Sequence, residues 1–296
     1  MAYARVRRVY AFSDTYGRSK NPFLQDDADA LLCTDFRSFP LEEVRREFDI
    51  YGREAITGHI LRLLFQLHED ILQYDYLSKA VKKEFAETTT GVFINAAPRI
   101  SRENGAPFYV ATAKDCNMRI VTTDLVGLSS VKDKLATLAR LDNDKNTIYS
   151  RTEQFRSSYT AFLLHPDHGH DVIEEEIDII PDFPDDKWEL SYVDRFGNLL
   201  TYTKDPEKQW KEVLACAKKA NTDKVNLLIG NVGQYVHVGS SLRDADPGSL
   251  VMYPNGDLDV LRKWEADEDS IARLYKSAFF QFAKPAIGSR IRLVEE

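Results

Sequence analysis

The stretch Glu174-Glu175-Glu176-Ile177-Asp178-Ile179-Ile180-Pro181-Asp182-Phe183-Pro184-Asp185-Asp186 divides the chain into two parts of different character. An acidic run followed by prolines among aspartates reads as a turn-rich connector. Before it, strand-like and helix-like segments alternate; after it, short strand-like pieces dominate. The contrast predicts an α/β N-terminal domain over residues 1–172, with a central sheet flanked by helices. A linker over residues 173–186 and a smaller, antiparallel β-barrel-like C-terminal domain over residues 187–296 follow. The length of 296 residues suits two cores, since single cores stop growing at roughly 250–300 residues.

Outward from the connector, residues 6–12 read as a buried strand that runs into a loop with Ser13, Asp14 and Gly17. Residues 41–85 place Ile56, Ile60, Leu63, Leu64 and Leu67 at helical spacing, which predicts one or two amphipathic helices. His59 and His68 then fall on the polar face. Residues 91–96, 108–111 and 119–122 read as strands, and residues 130–141 resume helical spacing after Gly127. In the second part, residues 189–193, 199–203, 225–229, 234–238, 249–253 and 290–294 read as strands and residues 206–220 as a helix. Gly230-Asn231-Val232-Gly233 and Gly239-Ser240-Ser241 read as hairpin turns.

The net charge of -8 disfavours nucleic acid as a main partner. No stretch of about 18 apolar residues is present, so no membrane span is expected. The arginines at 5, 7 and 8 precede an apolar run too short for a signal peptide, which points to the cytoplasm. Cys33, Cys116 and Cys216 are far apart and odd in number, so they read as ordinary thiols.

The most specific local sequence is Val193-Asp194-Arg195-Phe196-Gly197-Asn198-Leu199-Leu200-Thr201. On a loop before a strand it offers a carboxylate for an ammonium, an amide for a base edge and a flat apolar face. The same residues also make a hairpin whose Gly-Asn pair supplies turn geometry.

This segment is similar to the second-domain signature of the S-adenosylmethionine (SAM)-dependent fluorinase, chlorinase and hydroxide adenosyltransferase family, although Tyr202 stands where the family has Asn. Tyr253-Pro254-Asn255-Gly256, residues 258–262, Ser277-Ala278 and residues 288–293 resemble that domain's closing turn and strands. In the first domain, Phe12-Ser13-Asp14-Thr15-Tyr16-Gly17 resembles the family's first strand and loop. Gly91 to Arg99 and Gln154-Phe155-Arg156-Ser157 look like its segments near the sulfonium and the nucleophile. The resemblance implies an adenosyl and nucleophile domain followed by a SAM-binding domain, with SAM as substrate, no further cofactor and no metal. It implies a homotrimer that binds SAM, adenosine and methionine, with each site formed between neighbouring subunits.

As roles, it implies Asp14 on the ribose, Asp194 on the methionine ammonium, and Phe196 and Asn198 on the adenine. Ser157 and the backbone near Phe155 would hold the nucleophile, while Arg156 and Arg99 are positive charges of this chain's own near it, which would favour an anionic acceptor larger than halide. Asn255 and Arg262 are further candidate contacts, and Arg262 also reads as an exposed strand arginine. The expected reaction is adenosyl transfer from SAM to water, halide or another small nucleophile. Ala97, where hydroxide-transferring members have a proton-handling Asp, favours an alternative: a non-catalytic SAM or nucleoside sensor. A third reading is a metal-dependent hydrolase built on His165-Pro166-Asp167-His168-Gly169-His170-Asp171, since imidazole and carboxylate ligate divalent metals. His237, on a strand beside Tyr235, is a lesser ligand candidate.

Overall fold

A computed structural model describes residues 6–13, 43–48, 54–95, 108–141, 173–194 and 196–294. The chain forms two units, residues 1–57 with 64–181 and residues 58–63 with 182–296. Each is built on one seven-stranded sheet among the described residues, giving a mixed α/β fold in two parts.

In the first unit, β1 (Val6–Ser13) pairs in parallel with β2 (Glu43–Phe48) and β3 (Thr89–Asn95). A further parallel pair joins β3 to β5 (Met118–Thr122). Beyond it the sheet turns antiparallel through β4 (Tyr109–Ala113), β6 (Leu135–Leu141) and β7 (Ile173–Glu176). Val92, Phe93 and Ile94 are consecutive and all buried, as are Ile120 and Val121. Burial of successive residues is what a strand covered on both faces requires.

Among the described residues, two helices stand between β2 and β3, α1 (Glu54–Gln73) and α2 (Lys79–Glu87). Along α1 the buried positions include Thr57, Leu61, Leu64, Phe65 and His68, the i, i+3, i+4 stripe of an amphipathic helix. Leu63 and Leu67, expected on that stripe, lie off it and are exposed, whereas His59 and His68, expected on the polar face, are buried.

Residues 130–141, expected as a helix, form instead a 3-10 segment over Gly127–Lys134 and then strand β6. The pairing of β6 with β4 shifts register between Thr112 and Ala113, so Thr137 and Leu135 oppose neighbouring residues. The extra residue in β6 puts Leu135 and Leu138 on one face at a spacing of three, and a bulge thus mimics the helical period. Residues 173–176, expected within the linker, are paired as β7, and the division between the units falls after Pro181.

In the second unit the strands are β8 (Trp188–Val193), β9 (Leu199–Thr203), β10 (Lys224–Ile229), β11 (Val232–Val238), β12 (Leu250–Asn255), β13 (Asp257–Arg262) and β14 (Ile291–Val294). They run in the order β14-β10-β11-β12-β13-β9-β8. The two ends of this sheet approach each other through a bridge between Glu189 and Arg290 and a bond from Leu190 N to Ser289 O of 2.9 Å, so the sheet is nearly a barrel. Its core includes Leu190, Leu199, Leu227, Val236, Met252, Leu258 and Val260. Trp188 Nε1 donates to Thr201 Oγ1, which donates to Leu258 O, at 2.9 and 2.7 Å, so these two buried side chains are satisfied.

One pairing departs from the expected antiparallel order: β11 and β12 are parallel. Gly239-Ser240-Ser241 is therefore the start of a crossover, with Gly239 N bonded to Met252 O, and not a hairpin turn. Between β9 and β10 lies α3 (Pro206–Lys219), which opens on Asp205 accepting from Lys208 N at 2.9 Å and packs Val213 and Ala217 into the core. Two short helices, α4 (Ser270–Tyr275) and α5 (Ala278–Gln281), precede β14.

Candidate functional site

The Asp194 loop joins β8 to β9 and is locked by its own carboxylate. Asp194 Oδ1 accepts from Phe196 N at 2.8 Å and Asn198 N at 2.9 Å, and Oδ2 accepts from Asn198 Nδ2 at 2.8 Å. An Asx turn of this kind is what the Asp-x-Phe-Gly-Asn spacing supplies. Gly197 sits at φ +77, and a Cβ on it would come within 2.1 Å of Ser277 Oγ. From the other side, Phe279 N donates to Gly197 O at 2.9 Å, which fastens the loop to the start of α5. The turn geometry is thus real, and it leaves Asp194 with spare lone pairs. Phe196 stays 43% exposed, its ring 6.0 Å from that of Trp264, which Arg273 overlies at 4.6 Å.

The β12–β13 hairpin carries the second group of polar residues. Gly256, at φ +79, turns the chain so that Asn255 pairs with Asp257. Asn255 Nδ2 donates to Asp259 Oδ2 at 2.9 Å. Asp259 is buried, and its carboxyl is pushed up to about 6, first by that burial and then by the charges of Asp257 and Asp194. The Asn255 bond and His59 act in the opposite direction. The Tyr253 hydroxyl is raised by burial and by the charges of Asp259 and Asp194. Asp194, Asp259 and Tyr253 therefore share one electrostatic neighbourhood.

Behind Asp259 lies a buried ionic group. Asp257 Oδ2 meets His59 Nδ1 at 3.0 Å and its Oδ1 accepts from Arg62 Nη1, while Arg62 Nη2 donates to Lys204 O at 2.7 Å. The Arg62 guanidinium also lies 4.5 Å from the centroid of the Tyr202 ring. Tyr202 is fully buried and packs edge-on against Phe183 at 4.7 Å. Gly58 makes room for it, since a Cβ there would meet the Tyr202 ring and hydroxyl at 2.3–2.6 Å. Sequence reading missed Asp259, Asp257, His59 and Arg62 as a group. The signal available was a pair of aspartates two apart on one strand, a spacing that sets both on one face.

Arg262, expected also as an exposed strand arginine, is not exposed. It is buried, pairs with both oxygens of Glu268 at 2.7 and 2.8 Å, and donates Nε to Gly248 O at 3.1 Å. This pairing holds the Glu268 carboxyl far below the ordinary range, with Lys276 Nζ adding a contact of 2.8 Å. His237 meets Asp223 at 3.2 Å. Burial pushes the Cys116 thiol up to about 11, which removes it as a nucleophile near neutral pH.

Of the residues expected at the site, the structure brings Asp194, Phe196 and Asn198 into one turn and sets Asn255 on the hairpin with Asp259. Asp14, Arg99, Phe155, Arg156 and Ser157 lie outside the described residues, as do Ala97 and the His165 to Asp171 run. Among the described residues no group of three or more His, Cys, Asp or Glu is arranged to hold a metal, and no helix is long and apolar enough to cross a membrane.

No protein-family model and no curated protein matches the chain. Among solved structures it is similar to an uncharacterised conserved protein from Thermotoga maritima, with a TM-score of 0.57 and 16% identity over 96% of this chain and 100% of that one. It is also similar to a conserved hypothetical protein from Thermus thermophilus, with a TM-score of 0.52 and 14% identity over 97% of this chain and 100% of that one. At such identities the likeness speaks for the fold alone, and it extends over both units.

Proposed function

We propose that this chain binds SAM and transfers its adenosyl group to a small nucleophile. The nucleophile forms a bond to C5' as the C5'–sulfur bond breaks, the electron pair goes to sulfur, and methionine leaves as a neutral thioether. With water as nucleophile, a proton is also lost and adenosine results. The observation that carries this reading is the Asp194 turn. It joins a preorganised carboxylate, an amide and an exposed aromatic face on a loop whose glycine admits no side chain.

In this reading Asp194 takes the ammonium, Phe196 and Asn198 the adenine, and Asp14 the ribose hydroxyls. Ser157, Phe155, Arg156 and Arg99 hold the nucleophile in line with the C5'–sulfur bond. Positioning and water exclusion of that kind contribute about 7–11 kcal/mol to a displacement. The second unit serves as the barrel-like SAM-binding domain and the first as the adenosyl and nucleophile domain, in a cytoplasmic homotrimer. Ala97 favours a second reading, a SAM sensor without turnover, because alanine cannot orient or accept a proton.

The test is incubation of chelator-treated protein with SAM, with and without chloride, followed by mass-resolved chromatography. Adenosine with methionine identifies hydroxide transfer, and 5'-chloroadenosine identifies halogenation. Calorimetric binding without product selects the sensor. Absence of binding removes both readings.

A further inference from the structure

Two asparagines are each held by an aspartate. Asn198 Nδ2 donates to Asp194 Oδ2 at 2.8 Å, and Asn255 Nδ2 donates to Asp259 Oδ2 at 2.9 Å. An ionised carboxylate only accepts, so each amide must turn its NH2 toward its aspartate. Each asparagine is then left with its amide oxygen, to which no described residue donates, and with the second N–H of its NH2. Asp259 adds a further acceptor, because Oδ1 of this 6% exposed residue has no donor among the described residues. Asp259 stands opposite Tyr253 in the β12–β13 register and opposite Leu200 in the β13–β9 register, two residues beyond Asn198, and both carboxylates act on Tyr253. His59 and Arg62, the cation-forming groups that α1 brings to β13, are both engaged by Asp257. The Asp259 neighbourhood therefore offers oxygen acceptors and negative charge, with the cation-forming groups of α1 already paired, while Arg273 stands over Trp264 beside Phe196.

We propose that these two Asp–Asn pairs form an acceptor-rich, negatively charged element that selects ligands with a primary ammonium group, with Asp259 as a positioning residue that orients Asn255 and supplies charge. The inference rests on the SAM reading above and adds to it a residue that does not touch the ligand. Ionised, Asp259 attracts the ammonium and fixes the Asn255 amide. Protonated, it loses the attraction and weakens its hold on that amide.

The groups facing Asp259 set where this happens: Asp257 on its own strand, Tyr253 across the hairpin, Asp194 on the loop, and His59 and Arg62 on α1. With its carboxyl near 6, the selective part of the affinity is present at pH 7.5 and lost as pH falls toward 5.

The experiment is calorimetry on the full chain with S-adenosylhomocysteine, which keeps the ammonium but has no sulfonium, and with 5'-methylthioadenosine, which has neither. Wild type and Asp259→Asn are compared from pH 5 to 7.5. In the wild type the affinity for S-adenosylhomocysteine should fall by about tenfold across that range, while that for methylthioadenosine stays level. In Asp259→Asn it should be low and flat with pH, again with methylthioadenosine unaffected. A variant with wild-type affinity and pH profile overturns the proposal, and so does an equal loss for both ligands, which is the mark of structural damage. Wild-type binding of neither ligand removes the SAM reading and this inference with it. Wild-type binding of both ligands with no preference for the ammonium removes this inference alone.

Discussion

Asp259 is kept in a place where its charge is unfavourable. Its carboxyl is near 6 in the fold and 3.8 when unperturbed, so the folded chain binds the proton more tightly than the unfolded one. Between those values stability falls as pH rises, and above about 6 the penalty is complete, up to about 3 kcal/mol for a shift of this size. Asp259→Asn should therefore raise the urea midpoint at pH 7.5 and leave it unchanged near pH 3.5, while its affinity for ammonium ligands falls. A variant that is destabilised at pH 7.5 would contradict this account. Gly197 makes the opposite case. At φ +77, and with no room for a Cβ beside Ser277, Gly197→Ala should destabilise by roughly 2 kcal/mol or more in urea unfolding. A neutral result would mean that Ser277 yields without strain.

At the scale of elements, short-range chemistry explains where sequence reading succeeded. Asp205 followed by Pro206, with Lys218 and Lys219 in the last turn, marks both ends of α3, and the helix runs over Pro206–Lys219. Asp205→Ala removes the bond to Lys208 N and should lower stability by about 1 kcal/mol, read as a shift in the urea midpoint at constant slope. No shift would show that neighbouring packing alone fixes the helix start. The readings failed where a partner strand decides the outcome. β6 looks helical because its bulge opposite Thr112 and Ala113 spaces the buried leucines by three, and a single sequence does not display the register of a neighbour. The parallel pairing of β11 with β12 was hidden for the same reason, since Gly239-Ser240-Ser241 has the composition of a turn whether the chain reverses or crosses over.

For the whole molecule, the division into two parts was legible because the Glu174 to Asp186 stretch changes composition, whereas the membership of residues 58–63 in the second unit was not. Nothing near Gly58 announces Tyr202, and nothing near Arg62 announces Asp257, which lies 195 residues away. The candidate site divides in the same way. The Asp194 turn is written in five consecutive residues, while the Asp259 neighbourhood exists only when α1, β12 and β13 are together. Asp257 is 1% exposed, so its charge is tolerable only with Arg62 and His59 beside it. Removing one partner from a buried pair costs about 3–5 kcal/mol, and replacing both sides with uncharged groups costs much less. Arg62→Met should thus destabilise strongly in urea unfolding, Asp257→Asn less so, and the double variant Arg62→Met with Asp257→Asn should be more stable than Arg62→Met alone. A coupling energy well above 0.5 kcal/mol in that cycle marks direct interaction. Simple additivity would show instead that Asp257 is solvated without Arg62, and that the helix segment is held in the second unit by the packing of Gly58 against Tyr202.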